Sequence, residues 1–153
     1  MSVEEKVAQA RHVQLNLHVN GWQEALSSAA QPLVDDGSID PSYVQGMVDA
    51  VNKLGPYIVL APGFALGHAR PSAAVHRTCF SLATLAEPVE FGNKENDPVD
   101  IVAILAATGD DAHIQMLQKI VTFLNAGNGF AMLRGAETED DIQAIVNKIN
   151  EGE

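Results

Sequence analysis

VDIVAILAATGDDAHIQMLQKIVTFLNAG, residues 99–127, decides how the chain folds. Residues 99–107 are almost all apolar and rich in β-branched side chains, without alternation of polar and apolar positions. Such a strand is covered on both faces and lies inside a sheet. After Thr108 and Gly109, either Asp110 or Asp111 can cap a helix, and Ile114, Leu117, Ile120, Val121 and Leu124 recur as one apolar stripe along it. The helix therefore starts just past the C-terminal end of the buried strand.

Upstream, HVQLNLHV (12–19) alternates strictly, with Val13, Leu15, Leu17 and Val19 on one side, which predicts a half-buried strand. From Asn20, a plausible N-cap, the sequence predicts a helix interrupted near Pro32 and stopped around Gly37. A second helix follows. Asp40 can cap it, Pro41 suits its first position, Tyr43, Met47, Val51 and Leu54 recur at helical spacing, and Gly55 can end it. Tyr57 to Ala61 reads as a short buried strand, and Ala61-Pro62-Gly63-Phe64 has the residues of a type II turn. Phe64 to Ala69 and Val75 to Leu85 read as extended. Residues 87–98 read as a polar connection that contains a short edge strand, and residues 138–149 as a closing helix with Thr138 and Asp141 in capping-box spacing. Strands interleaved with helices, one strand being buried on both faces, argue for an α+β fold with helices on two sides of a mixed sheet. With 153 residues and no linker or repeat, residues 1–153 are expected to form a single domain.

Nine Lys and Arg against twenty Asp and Glu give a net charge of -11. That balance offers no basic stripe to neutralise phosphates, so nucleic-acid binding is not expected. Residues 87–153 carry thirteen acids and four bases, an acidic half that solubilises the chain and could steer a basic partner. The single cysteine, Cys79, cannot form an internal disulfide. Nothing reads as a signal peptide or membrane span, which fits a reducing cytoplasm without membrane insertion.

The five histidines, His12, His18, His68, His76 and His113, fit no usual zinc spacing, and no Gly-x-x-x-x-Gly-Lys loop or nucleophile elbow is present. No metal or cofactor is expected. Two of the histidines stand out by position. His68 follows a Pro-Gly turn and a strand and is flanked by Gly67 and Ala69, small neighbours that leave an imidazole open to a bulky partner. His113 falls in the first turn of the helix after the buried strand, where backbone N–H groups and the helix dipole favour an anion. A neutral imidazole is a competent nucleophile near neutral pH. Arg70 would share a face with His68 in an extended segment and could clamp a phosphoryl oxygen. His12, His18 and His76 read as exposed strand positions without a role.

The runs GPYIVLAPGFALGHARP, EPVEFG and VDIVAILAATGDDAHIQMLQKIVTFL, in that order, resemble the enzyme IIA domain of the mannitol/fructose type in the bacterial sugar phosphotransferase system, and its ascorbate branch above all. The resemblance covers most of residues 5–150. It implies a three-layer α/β/α sandwich and a phosphocarrier. In that family a histidine accepts a phosphoryl group from HPr and passes it to a cysteine of enzyme IIB, which serves the membrane enzyme IIC. By the resemblance His68 is that histidine, and His113 of HIQML is the second active-site histidine, which helps to hold the phosphoryl group. Two positions depart from the pattern. Gly67 stands where proline usually precedes the phosphorylated histidine, and residues 50–60 offer only Lys53 where mannitol-type members carry an arginine, which leaves Arg70 as the candidate for that charge. Ascorbate is the sugar that the branch implies, and a homodimer is compatible with the apolar composition. The alternatives are a regulatory IIA-like phosphorylation sensor and a metal-binding or small-molecule-binding domain using His68 and His113.

Overall fold

The computed structural model describes residues 8–69, 72–126 and 128–151, with backbone alone at Asp110, Ala112, His113, Ala126 and Glu151. A 3-10 turn (Ala10–His12) leads into β1 (Val13–Leu17), α1 (Trp22–Asp35) and α2 (Pro41–Leu54). The strands β2 (Val59–Ala61), β3 (Phe64–His68), β4 (Cys79–Val89) and β5 (Val99–Ala106) come next, followed by α3 (Asp110–Ala126), α4 (Gly129–Gly135) and α5 (Glu139–Glu151). The sheet order is β1-β4-β5-β3-β2. β1 and β4 run parallel, as do β3 and β5, whereas β4 with β5 and β2 with β3 run antiparallel.

β5 occupies the middle of this mixed sheet, as its sequence predicts. Side chains alternate faces along a strand. Val102, Ile104 and Ala106 meet the layer of α1 and α2, and Ile101, Ala103 and Leu105 meet the layer of α3, α4 and α5. Removing each of the larger side chains from water contributes about 1.5–3 kcal/mol. The result is the expected three-layer sandwich. Among the described residues, no helix is long and apolar enough to cross a membrane.

Several local expectations are overturned, each by a tertiary contact. β1 does not keep its alternation to Val19. Asn16 takes a left-handed φ of 57° and its N–H donates to the Thr84 hydroxyl, shifting the register between Gln14 and Leu17. Val13 and Leu15 therefore face α3–α5, while Leu17 and Val19 face α1 and α2. Helix α1 is not interrupted at Pro32. Proline cannot donate to the carbonyl of Ser28 one turn back, and the Gln14 amide donates to that oxygen instead at 2.8 Å. The buried Ser81 hydroxyl likewise donates to the neighbouring Ala29 carbonyl at 2.6 Å. The helix begins at Trp22 after Gly21, so Asn20 is not its cap. Its N–H donates to the Glu24 carboxylate instead.

β4 starts later than expected, at Cys79, and runs through Val89, which pairs with Val99. The polar connection is correspondingly shorter. On α3 the buried stripe is Met116, Ile120 and Phe123, with Leu117 and Leu124 half-buried and Ile114 and Val121 exposed. The short helix α4 carries too weak a local signal to be read from sequence. It is held by buried Leu133 and by Arg134, which donates to both oxygens of Asp100 at 2.8 and 3.0 Å. Thr138 and Asp141 do form the expected cap: the Asp141 N–H donates to the Thr138 hydroxyl, and the Asp141 carboxylate accepts from the N–H groups of Glu137 and Thr138.

The histidines without a predicted role also differ from expectation. His18 is exposed just past β1, and His76 lies outside the named strands and bonds Asp40. His12 is buried, with Nε2 at 2.6 Å from the Asp36 carboxylate, which also meets Arg11 and Arg77 and accepts from Ser38. This cluster ties the start of β1 to the end of α1 and the approach to β4. Burial pushes the His12 pKa below its ordinary 6.5, against the pull of Asp36. Its Nδ1 meets no hydrogen-bond partner among the described residues, so the neutral ring donates from Nε2 to Asp36. For Asp36, burial acts to raise the pKa, but hydrogen bonds from Ser38 and His12 overcome it and hold the carboxyl well below its usual range.

Both shifts make stability fall with acid. A depressed histidine pKa means that the unfolded chain binds the proton more readily, so stability is full above 6.5 and is lost as pH drops towards the folded pKa. Asp36 adds a second loss below 3.8. The urea midpoint should decline as pH falls below about 6.5, and His12→Gln should flatten that decline. Equal slopes in the two proteins would show that His12 is not held neutral.

Candidate active site

The site is built at the end of β3. Pro62 and Gly63 form the expected turn between β2 and β3, with Gly63 at φ 77°. The backbone there favours glycine, and a Cβ, at 2.6 Å from the Arg134 guanidinium and 2.7 Å from the Asp100 carboxylate, would displace that ion pair. β3 then runs parallel to β5 in a register that ends with His68 opposite Leu105. Phe64 and Leu66 pack on the α3–α5 side, and His68 follows them at the two-residue period of a strand.

His68 is half-buried. Its Nδ1 lies 2.9 Å from the Leu66 carbonyl oxygen. A carbonyl only accepts, so Nδ1 carries the proton and the basic lone pair is on Nε2. The Tyr57 ring meets the imidazole edge-on, with centroids 5.7 Å apart and planes at 84°. On the other side of the strand, a Cβ at Gly67 would lie 2.8 Å from Ile104 Cδ1, 3.0 Å from Leu26 Cδ2 and 3.3 Å from Met47 Sδ. The family's usual proline carries a Cβ, so Ile104 of β5, with Leu26 of α1 and Met47 of α2, would have to shift to admit it here.

Tyr43 of α2 reaches the same strand ends from below. Its hydroxyl accepts from the Ala69 N–H at 3.0 Å and lies 3.1 Å from the Ala69 carbonyl and 3.2 Å from that of Leu105. Burial raises its pKa, so it remains a phenol and a donor at neutral pH. The sequence marks Tyr43 only as one member of an apolar stripe. Its signal is that a tyrosine on a buried face brings a hydroxyl that needs a partner.

α3 starts at Asp110, a few residues past the end of β5, so its first turn lies at the sheet edge where β3 ends. The His113 backbone is in that turn; its side chain lies outside the described residues, as does the whole of Arg70. Among the described residues, no group of three or more His, Cys, Asp or Glu side chains could hold a metal ion.

The chain belongs to the family described as "Phosphoenolpyruvate-dependent sugar phosphotransferase system, EIIA 2", whose model matches residues 6–149. It is 34% identical over 151 residues, 98% of each chain, to the "Ascorbate-specific PTS system EIIA component" of Escherichia coli (strain K12). The solution structure of the mannitol-specific cryptic phosphotransferase enzyme IIA from Escherichia coli superposes with a TM-score of 0.82 at 29% identity, covering 94% of this chain and 96% of that one. A complex of mannitol enzyme IIA with phosphorylated enzyme IIB from Escherichia coli matches with a TM-score of 0.77 at 25% identity, covering 92% and 96%.

Gly67→Ala tests the packing beneath the site. The contacting atoms are the tips of side chains, but those side chains are fully buried, so the variant should lose about 1 kcal/mol by overpacking. Denaturant titration measures this, and unchanged stability would show that Ile104, Leu26 and Met47 can give way.

Proposed function

We propose that this protein carries a phosphoryl group on Nε2 of His68, taking it from phospho-HPr and delivering it to a cysteine of an enzyme IIB in an ascorbate uptake system. The observation that carries this reading is the 2.9 Å bond from Nδ1 to the Leu66 carbonyl, which puts the basic lone pair of the ring on Nε2. Ascorbate is supported by the 34% identity to the ascorbate-specific component along 98% of both chains. A cytoplasmic setting fits the absence of a membrane-crossing helix among the described residues.

Nε2 attacks phosphorus in line as the bond to the HPr imidazole breaks, and the electron pair of that bond leaves with HPr. Nδ1 keeps its proton towards Leu66, so the phosphorylated ring is cationic. That makes it a good leaving group. When the IIB thiolate attacks, the N–P bond breaks and His68 returns as neutral imidazole. The transition state of such transfers is loose, with charge on the peripheral oxygens, so catalysis rests on positioning and on donors aimed at those oxygens. The amides of the first turn of α3, with His113, and Arg70 are assigned to that role, and no metal or cofactor takes part.

His68→Ala should fold normally and accept no phosphoryl group from phospho-HPr, as read by mass spectrometry under conditions that preserve phosphohistidine. A normally phosphorylated variant would exclude His68 as the acceptor. His113→Ala should still be phosphorylated, but onward transfer to IIB should slow by about 10²-fold or more, the range for loss of one charge-stabilising donor. Unchanged rates in both steps would make His113 a bystander.

A further inference from the structure

The χ2 torsion of a histidine turns about an sp³–sp² bond with broad wells, and a carbonyl oxygen accepts over a wide range of directions. The bond from Nδ1 to the Leu66 carbonyl therefore fixes the protonated nitrogen of His68 more closely than the tilt of its ring. In-line transfer depends on that tilt, because it aims the Nε2 lone pair. Side chains packed against the ring set it. Tyr57 is such a neighbour, with ring centroids 5.7 Å apart and planes at 84°, inside the range of about 4.5–7 Å for aromatic pairs in contact.

A neighbouring ring can restrain the imidazole only if its own backbone is held. α2 ends at Gly55, with φ 89°, and Pro56 brings a ring-locked φ. The Tyr57 N–H donates to the Gly55 carbonyl at 2.8 Å and the Val59 N–H to that of Pro56 at 3.3 Å, so Tyr57 stands on a tight turn. The next residue, Ile58, is 1% exposed and packs in the α1 and α2 layer, and its carbonyl accepts from the Leu66 N–H at 2.9 Å. Leu66 is the residue whose carbonyl bonds the imidazole. One link from Ile58 to Leu66 thus joins the packed ring to the hydrogen-bond acceptor. Tyr57 itself is 39% exposed, which places it at the mouth of the site and not in the core.

We propose that Tyr57 is a positioning residue of the phosphoryl-transfer site, whose aromatic ring packs against the imidazole of His68 and holds the tilt that aims Nε2. This rests on the carrier role assigned to His68 above. Tyr57 exchanges no proton with the imidazole and makes no bond to phosphorus. It acts by contact area, so its hydroxyl is dispensable. With the ring removed, the imidazole rocks about its bond to Leu66 while that bond persists: the tautomer stays and the aim is lost.

Tyr57→Ala removes the packed ring, and Tyr57→Phe keeps it. Nitrogen-15 spectra of the unphosphorylated proteins should show His68 protonated at Nδ1 in the parent and both variants. Carbon-13 relaxation of the His68 Cδ2–H group should give a lower order parameter in Tyr57→Ala and the parental one in Tyr57→Phe. The kcat for accepting a phosphoryl group from phospho-HPr should fall about tenfold in Tyr57→Ala, with KM within about twofold of the parent, and Tyr57→Phe should restore the parental kcat. A folded Tyr57→Ala protein with the parental order parameter and kcat would overturn the proposal. So would a Tyr57→Phe protein as slow as Tyr57→Ala, which would give the role to the hydroxyl, or a raised KM at parental kcat, which would make Tyr57 a docking contact. If the parent were phosphorylated at a residue other than His68, the carrier role would fail. The relaxation comparison, made without phosphorylation, would still decide whether Tyr57 holds the ring.

Discussion

Because Ile101, Ala103 and Leu105 of β5 face one helix layer while Val102, Ile104 and Ala106 face the other, β5 can sit only inside the sheet. Most of what surrounds it follows from that burial. β4 and β3 take its two edges, and the chain leaving its C-terminal end must turn back as a helix over one face. The start of α3 therefore lies at the edge where β3, parallel to β5, also ends. His68 and the first turn of α3 share that edge, although more than forty positions separate them in sequence.

The chemistry of such an edge depends on restraint. A phosphoryl carrier needs a histidine that reacts at one nitrogen, in one direction, with two successive partners. The Leu66 carbonyl holds the proton of His68 on Nδ1, and the Tyr57 ring packs edge-on against the imidazole. Beneath Gly67, the side chains of Ile104, Leu26 and Met47 pack directly against the backbone of β3.

A recurring device in this fold is a side chain serving a backbone group that secondary structure leaves unserved. Gln14 supplies the donor that Pro32 lacks, Thr84 takes the N–H at the bulge of β1, and Tyr43 gathers the strand ends at Ala69 and Leu105. Buried backbone polar groups without partners are costly. These polar residues hold elements in place across the layers, where apolar contact alone would let them slide.

The amino-acid sequence by itself determined the elements whose burial pattern is strong and local: β5, the helices α1, α2, α3 and α5, the Pro62-Gly63 turn, and the prominence of His68. Apolar period, capping residues and turn residues act within a few positions of one another, so they can be read without a fold. Tertiary structure alone decided the rest. The bulge at Asn16 turned Leu17 to the opposite face, the bond from Gln14 let α1 run through Pro32, and Arg134 with buried Leu133 made a helix of residues 129–135. Tyr43, one apolar position among several when read along its helix, became the hydroxyl that joins β3 to β5 beside the histidine. In each case the deciding partner lies on another element far along the chain, and a long-range hydrogen bond leaves no periodic trace in the residues that make it.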